Sequence, residues 1–359
     1  LVVFFAGASL AAMRHTPNWR YNSFRQIHSF FTEKGIVVSE GPIANQRASS
    51  RGEDAIQIEG VVPVIPIPFH ADERIDEVSL RRCVEFVASR PMAAMCLPAY
   101  ASEFYKLSEA EREMVIGIAI DANQGRIPVF AQANHGSSRV AASLARRYEA
   151  MGADVISFAL PRQFGTTEMD LLRYCGTVAD AVSIPILIQD FAPGKATIDA
   201  DFIAELHKQH PNFRYAKLEE PMIIDKLVRI QDKVGGAVGI LEGWGGYYML
   251  EAIPAGIVGI MPGVPYCDLL DRVYQACKAG DGNRAYDLFA ALLPMMNFTL
   301  QDFELFLQVE KRILVRRGIF DHAHLRALTL TPSEAVLRHA DFLIDQLMRV
   351  LDREGMVEV

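Results

Sequence analysis

What this 359-residue chain lacks narrows its class before any motif is considered. No apolar stretch reaches the roughly 20 residues that a bilayer-spanning helix needs, so no membrane association is expected. A basic excess is missing as well. Acidic residues number 44 against 36 basic ones, for a net charge of −8, and general nucleic-acid binding needs a basic surface that displaces counterions. There is no CxxC pair, and five cysteines cannot complete a disulfide framework. Cys83, Cys96, Cys175, Cys267 and Cys277 sit in apolar or helical runs, which predicts buried free thiols in a reducing compartment. Low-complexity composition is absent too: half the residues are apolar and 22% are charged, the balance of a globular chain.

What is present divides unevenly. Residues 1–57 show no clean hydrophobic period and read as a poorly ordered leader. Leu1 to Met13 is apolar like a signal core, but no basic stretch precedes it. Residues 13–33 carry Arg14, Arg20 and Arg25, as a transit segment does. A wrongly assigned start is the third reading. The location expected is cytoplasmic, or mitochondrial if residues 13–33 form a transit segment.

From Ile58 the texture changes. Eight short apolar runs begin at Gly60, Ala93, Ile127, Asp154, Pro185, Phe213, Ala237 and Ile257, with β-branched or aromatic residues in them. Helix-period segments lie between them, including Glu77 to Ser89, Ser137 to Met151 and Thr167 to Ala181. Ser108-Glu-Ala-Glu111 reads as a capping box. Single helices between strands force parallel pairing, and eight such units predict a (β/α)8 TIM barrel of the α/β class over 58–263. An open doubly wound sheet is the alternative, but it wants a Gly-rich loop after its first strand, where Pro66-Ile-Pro-Phe69 stands instead. Residues 264–359 read as a barrel-closing helix followed by a helical extension, with helices expected over Asp281 to Phe298, Leu300 to Arg317 and Pro332 to Arg353.

Catalytic groups in such barrels project from the C-terminal ends of strands. Within the eight runs there is one lysine, Lys217, at the C-terminal end of Phe213-Arg-Tyr-Ala-Lys-Leu218. Burial disfavours an ammonium, and a neutral amine is what attacks a carbonyl to form a Schiff base. A plain ion pair with Glu219 or Glu220 would account for the same lysine.

The surroundings carry a resemblance. Pro68-Phe69, Leu97-Pro-Ala-Tyr-Ala-Ser-Glu103, Gly125-Arg-Ile-Pro-Val129, Lys217-Leu-Glu-Glu-Pro221, Leu241-Glu-Gly243 and Gly259-Ile-Met-Pro-Gly263 occur in an order that resembles the dihydrodipicolinate synthase/N-acetylneuraminate lyase family of class I aldolases, over roughly Ile58 to Met348. Lys217 falls on the family's Schiff-base lysine. Gln189 stands where the family usually has a shuttling tyrosine, and Tyr100-Ala101 where it has Thr-Thr. The L-2-keto-3-deoxyarabonate dehydratase branch is similar in Gln189-Asp190, Ser102-Glu103, His135, the Lys217-x-Glu219-x-Pro221 pattern and Glu242-Gly243.

The resemblance implies a lyase that needs no metal or organic cofactor. Lys217 condenses with the ketone of a 2-keto acid, the iminium acidifies C3, and the enamine either expels a C4 hydroxyl or arises from C3–C4 cleavage. A dehydratase acting on a 2-keto-3-deoxy sugar acid is expected first and a pyruvate-releasing retro-aldolase second. Glu103 is expected as acid/base with Ser102 relaying, although Glu103 could be a salt-bridge partner only. Tyr100, Ala101, His135, Gln189, Asp190, Glu219, Gly243 and Met261 are expected to contact substrate. Backbone N–H groups near Ala101 and Ser102 would meet the substrate carboxylate, with Arg162 and Lys195 as further cations. His135 could equally be a loop histidine without catalytic work. His207 and His210, three apart on a helix, read as a solvated face rather than a metal site. A homotetramer is implied by the family. The competing reading is a non-catalytic barrel that binds ligand without turnover.

Overall fold

The computed structural model describes residues 57–162, 166–191 and 198–356. Residues 1–56 of the leader and Lys195, one of the expected cations, therefore lie outside the described residues. Eight parallel strands form one sheet in the order β1-β8-β7-β6-β5-β4-β3-β2. They are β1 (Gly60–Val61), β2 (Met95–Leu97), β3 (Val129–Gln132), β4 (Val155–Ala159), β5 (Ile186–Asp190), β6 (Phe213–Leu218), β7 (Gly239–Glu242) and β8 (Gly259–Ile260). The sheet closes on itself between β1 and β2: Cys96 N–H donates to Pro63 O at 3.0 Å, and Ile65 N–H to Cys96 O at 2.9 Å. This is the expected (β/α)8 barrel.

The eight strands fall on the eight apolar runs, though β1 and β8 are shorter than the runs predict. Pro63, Pro66 and Pro262 have no N–H to give to a ladder, so regular pairing stops early. Single bonds carry the contact further, such as Val64 N–H to Pro262 O at 2.8 Å.

The strand period of two separates two cores. Val64, Cys96, Phe130, Leu187, Tyr215 and Leu241 point inward and form one buried cluster inside the barrel. The alternate residues, such as Ile186, Ile188, Ala216 and Leu218, meet the helices in a second, larger cluster. All five cysteines are buried and free.

The connecting helices are α1 (Glu77–Ala88), α2 (Glu109–Asn123), α3 (Ser138–Met151), α4 (Glu168–Ala179), α5 (Ala200–Gln209), α6 (Ile223–Val234) and the short α7 (Met249–Ala252). Their starts are written locally. The Ser108/Glu111 capping box opens α2, and Thr167/Asp170 makes a second one at α4. After β8 come α8 (Cys267–Lys278), α9 (Gly282–Thr299), α10 (Phe303–Arg316) and α11 (Glu334–Arg353). The expected helix from Leu300 starts three residues later, because the Asp302 side chain caps Glu304 and Leu305 N–H groups at 2.9 and 3.0 Å. This break turns α10 across the C-terminal mouth of the barrel, where Phe303 and Phe306 line the central cavity. Among the described residues no helix is long and apolar enough to cross a membrane.

Candidate active site

Register places the site. In the ladder between β5 and β6, Gln189 lies opposite Lys217, and Lys217 lies opposite Leu241 of β7. Because Tyr215 and Lys217 share the inward face, the lysine amine stands above the barrel core at the strand's C-terminal end. Lys217 Nζ is 3.0 Å from Glu219 Oε1, and the two side chains are only 7% and 6% exposed. Gln189 Nε2 donates to the same Glu219 oxygen at 3.1 Å, and Gln189 Oε1 accepts from Gln132 Nε2 at 2.8 Å. Glu219 Oε2 is buried with no hydrogen-bond partner among the described residues. Burial pushes the Glu219 carboxyl up, against the pull of the Lys217 charge. The result is a carboxyl poised to hold or give a proton, with one oxygen on the amine and the other open.

Gly243 makes this packing possible. A Cβ at that position would stand 2.6 Å from Glu219 Cγ and 2.7 Å from Lys217 Cγ, and closer still to Lys217 Cε. Behind the pair, Glu242 is fully buried and accepts from Trp244 N–H at 2.9 Å. Burial raises its pKa to about 8.

The cavity above Lys217 encloses about 50 Å³. Of the expected site residues, Tyr100, Ala101, Gln189, Lys217, Glu219, Gly243 and Met261 line it together. Four others do not line it. Glu103, expected as acid/base, is fully buried with Oε1 2.5 Å from Lys311 Nζ and Oε2 2.9 Å from Lys106 Nζ. Both oxygens are engaged, so this carboxylate ties the loop after β2 to α10. The Ser102 hydroxyl donates to Ile65 O at 2.6 Å and accepts from Ala99 N–H at 2.9 Å, which fixes the loop after β2. His135 is exposed, and its Nδ1 accepts from Ser137 N–H at 2.9 Å. Asp190 faces outward from β5, paired with Arg162 and accepting from Ile198 N–H at 2.5 Å. That pairing turns Arg162 away from the cavity as well.

His207 on α5 and His210, the residue that caps its C-terminal end, have structural partners: His207 Nδ1 lies 2.9 Å from Phe213 O, and His210 Nδ1 lies 3.0 Å from Asp180. Among the described residues no group of three or more His, Cys, Asp or Glu side chains is placed to hold a metal ion. Sequence reasoning misses the cavity's outer wall, made by Phe191, Trp244, Leu300, Phe303 and Phe306. Their run of large apolar residues is the only local signal, and it reads equally as core.

Comparison with known proteins follows the same lines. A family model described as the dihydrodipicolinate synthetase family matches residues 57–339. The chain is similar to an L-2-keto-3-deoxyarabonate dehydratase of Azospirillum brasilense, 28% identical over 243 residues, covering 66% of this chain and 78% of that protein. It is also similar to a 4-hydroxy-tetrahydrodipicolinate synthase of Methanopyrus kandleri, 28% identical over 244 residues, covering 67% and 80%. Among solved structures, the 4-hydroxy-tetrahydrodipicolinate synthase of Methylacidiphilum fumariolicum SolV superposes with a TM-score of 0.77 at 20% identity, covering 84% of this chain and all of that one. The dihydrodipicolinate synthase of Rhodopseudomonas palustris gives 0.75 at 24% identity, covering 80% and 97%.

Proposed function

The chain belongs to the dihydrodipicolinate synthetase family, and from its site we propose that it is a Schiff-base-forming lyase acting on a 2-keto-3-deoxy acid, as a dehydratase of the L-2-keto-3-deoxyarabonate dehydratase type. The observation that carries this is the buried Lys217–Glu219 pair at 3.0 Å on the mouth of the barrel. Membership makes it a lyase of that family. The dehydratase outcome and the sugar-derived substrate rest on the similarity to the Azospirillum protein and on the site chemistry.

The amine and the carboxyl divide the work. Glu219 takes the proton that Lys217 must lose before Nζ can add to the C2 ketone. Glu219 returns that proton to the carbinolamine hydroxyl, which leaves as water, so the iminium forms beside an ionised Glu219 and draws electrons from C3. Glu219 then removes a C3 proton and hands it to the C4 hydroxyl, which the enamine expels as water, and hydrolysis of the conjugated iminium returns Lys217. Gln189 fixes the carboxyl and cannot itself transfer a proton near neutrality. The substrate carboxylate is expected at the turn after β2, where Ser102 N–H already bonds Ala99 O at 3.0 Å and the Ala101 N–H comes before that first bond. No step calls for a metal or an organic cofactor. If C3–C4 cleavage replaces elimination, the same enamine forms and the enzyme is a retro-aldolase.

Borohydride added with pyruvate or a 2-keto-3-deoxy acid should trap a mass adduct on Lys217. An unmodified Lys217, under conditions that trap a known family member, refutes the proposal. Product analysis separates the outcomes: an intact oxo acid marks the dehydratase, and released pyruvate marks the aldolase. The same family resemblance supports a homotetramer, which light scattering on the eluting protein checks.

A further inference from the structure

We infer that Gln132 is a positioning residue of the Schiff-base step: it holds the Gln189 amide with its nitrogen toward Glu219, and so steadies the carboxyl that serves Lys217. This rests on the Schiff-base reading and adds to it a residue that does not line the cavity.

Strand alternation brings the two glutamines together. Gln132 ends β3, two residues after Phe130 of the inner cluster, so it points into the barrel. Gln189 does the same on β5, two residues after Leu187. β3 and β5 are alternate strands, which share side-chain layers in such a barrel. Both side chains are buried. Gln132 Nε2 donates to Gln189 Oε1 at 2.8 Å, and Gln189 Nε2 donates to Glu219 Oε1 at 3.1 Å. Lys217 Nζ stands 3.0 Å from the same Glu219 oxygen. One line of bonds therefore runs from β3 through β5 to the reacting pair at the end of β6.

The direction of this line is set at the Glu219 end. A carboxylate only accepts, so Gln189 turns its nitrogen to Glu219 and its oxygen to Gln132, and Gln132 must donate. Gln132 Oε1 is buried without a partner among the described residues. Turning the Gln132 amide over would bury an unpaired NH2 where that oxygen sits, and unpaired N–H groups are the worse of the two. Gln132 is thus held as a donor, and it fixes which end of Gln189 meets a carboxyl that takes up and gives back protons.

Two effects on Glu219 follow. An amide whose oxygen accepts a hydrogen bond is polarised and donates more strongly through its nitrogen. An anchored amide also keeps that nitrogen in place while the proton moves. Both favour the ionised carboxyl, the form that takes the proton from Lys217, and both oppose the effect of burial. Among the described residues the charged and titratable groups that act on Glu219 are Lys217 on β6, Asp190 on β5, Glu242 on β7 and Tyr100 after β2. All four are unchanged in a Gln132 variant, so a difference between variant and wild type reads the amide line.

The test follows pyruvate capture by Lys217 in the full chain across pH, with cyanoborohydride trapping read by mass. Gln132→Met keeps the length of the side chain and loses the donor. Its acid limb should move up by about half a pH unit, so that below the limb trapping slows about threefold, while the plateau at higher pH changes less. Gln189→Met should move the limb at least as far, and adding Gln132→Met to it should move it no further, because the two residues act as one line. If Gln132→Met does not fold, as a thermal melt will show, the smaller Gln132→Ser carries the same comparison. An unmoved limb in a folded Gln132 variant, or a full shift that persists in the Gln189→Met background, overturns the inference and leaves the Schiff-base reading standing. A wild-type chain that gives no adduct, under conditions that trap a known family member, overturns that reading and the inference with it.

Discussion

Gly243→Ala tests whether the position of the lysine amine, and not only its presence, sets the rate. Gly243 has no positive φ, so alanine suits its backbone and the whole effect is steric. The new Cβ would stand 2.6 Å from Glu219 Cγ and 2.7 Å from Lys217 Cγ. Carbon atoms pack at about 3.5–4.0 Å, so each neighbour must withdraw by about 1 Å. Both side chains are buried and tied to each other, which leaves them little room to do so. Overpacking of this kind costs about 1–3 kcal/mol of stability. A shift of about 1 Å at a reacting group costs about 100-fold in rate. The assay pairs kcat/KM and the rate of borohydride trapping with a thermal melt. Gly280→Ala is the control: φ is +76° and nothing lies within 4 Å of the new Cβ, so it strains the backbone far from Lys217. It should lower stability by about 1–2 kcal/mol and leave the trapping rate alone. If Gly243→Ala traps pyruvate and turns over at wild-type rates while its melt shifts, Lys217 is not the group whose placement matters, and the reasoning fails.

Other changes separate the remaining roles. Glu219→Gln keeps the shape and removes the proton carrier, so kcat should fall by about 10²–10⁴-fold while slow trapping on Lys217 persists. A variant with unchanged kcat moves the proton transfer to another group. Lys311→Met strips Glu103 of one of its two partners and should cost about 3–5 kcal/mol in urea unfolding, with part of the loss recovered by adding Glu103→Gln. Full activity of Glu103→Gln in a folded protein supports its salt-bridge role; a loss of kcat without loss of stability would return it to catalysis. Glu242 binds its proton more tightly folded, with a pKa of about 8, than at the ordinary value of 4.5, so ionisation opposes folding as pH rises between those values. Wild-type stability should therefore fall across that window by up to about 1.4 kcal/mol per pH unit, while Glu242→Gln should not share that fall; equal pH slopes in the two proteins would refute the assignment.

The fold is legible in the sequence because its signals are local. Capping residues such as Ser108 with Glu111, and apolar runs bounded by glycine and proline, need no distant partner to be read. Lys217 is legible for a related reason, since a lysine inside an apolar run conflicts with its neighbours. Glu103 shows where this stops. Its partner Lys311 lies 208 residues downstream, and nothing near Glu103 reveals that both its oxygens are occupied. Ser102 and Asp190 are similar: each has the right chemistry at a strand end, but β-alternation and loop hydrogen bonds turn them from the cavity. The outer wall is hidden for the opposite reason. Phe303 and Phe306 obey an ordinary helical period, and only the break before α10, imposed by the Asp302 cap, carries them over the mouth.

The charge balance of the chain and the charge of the site fit together through burial. A chain of net charge −8 that takes an anionic acid must keep its site from becoming net negative. Glu219 and Glu242, both ionised, would outweigh Lys217. Burial raises the Glu242 pKa to about 8, so at neutral pH it holds its proton and adds no second carboxylate charge beside Lys217 and Glu219. In the proposed reaction the ammonium and the ketone become an iminium and water, so the nitrogen stays cationic and no proton is left over for Glu219. The positive charge of the site is thereby carried onto the bond that joins Lys217 to the substrate, beside the substrate carboxylate. This is how an acidic barrel with few cavity cations among the described residues can hold a keto acid: with Glu242 neutral, no second carboxylate offsets that nitrogen, and the covalent bond keeps it next to the acid until hydrolysis frees the product.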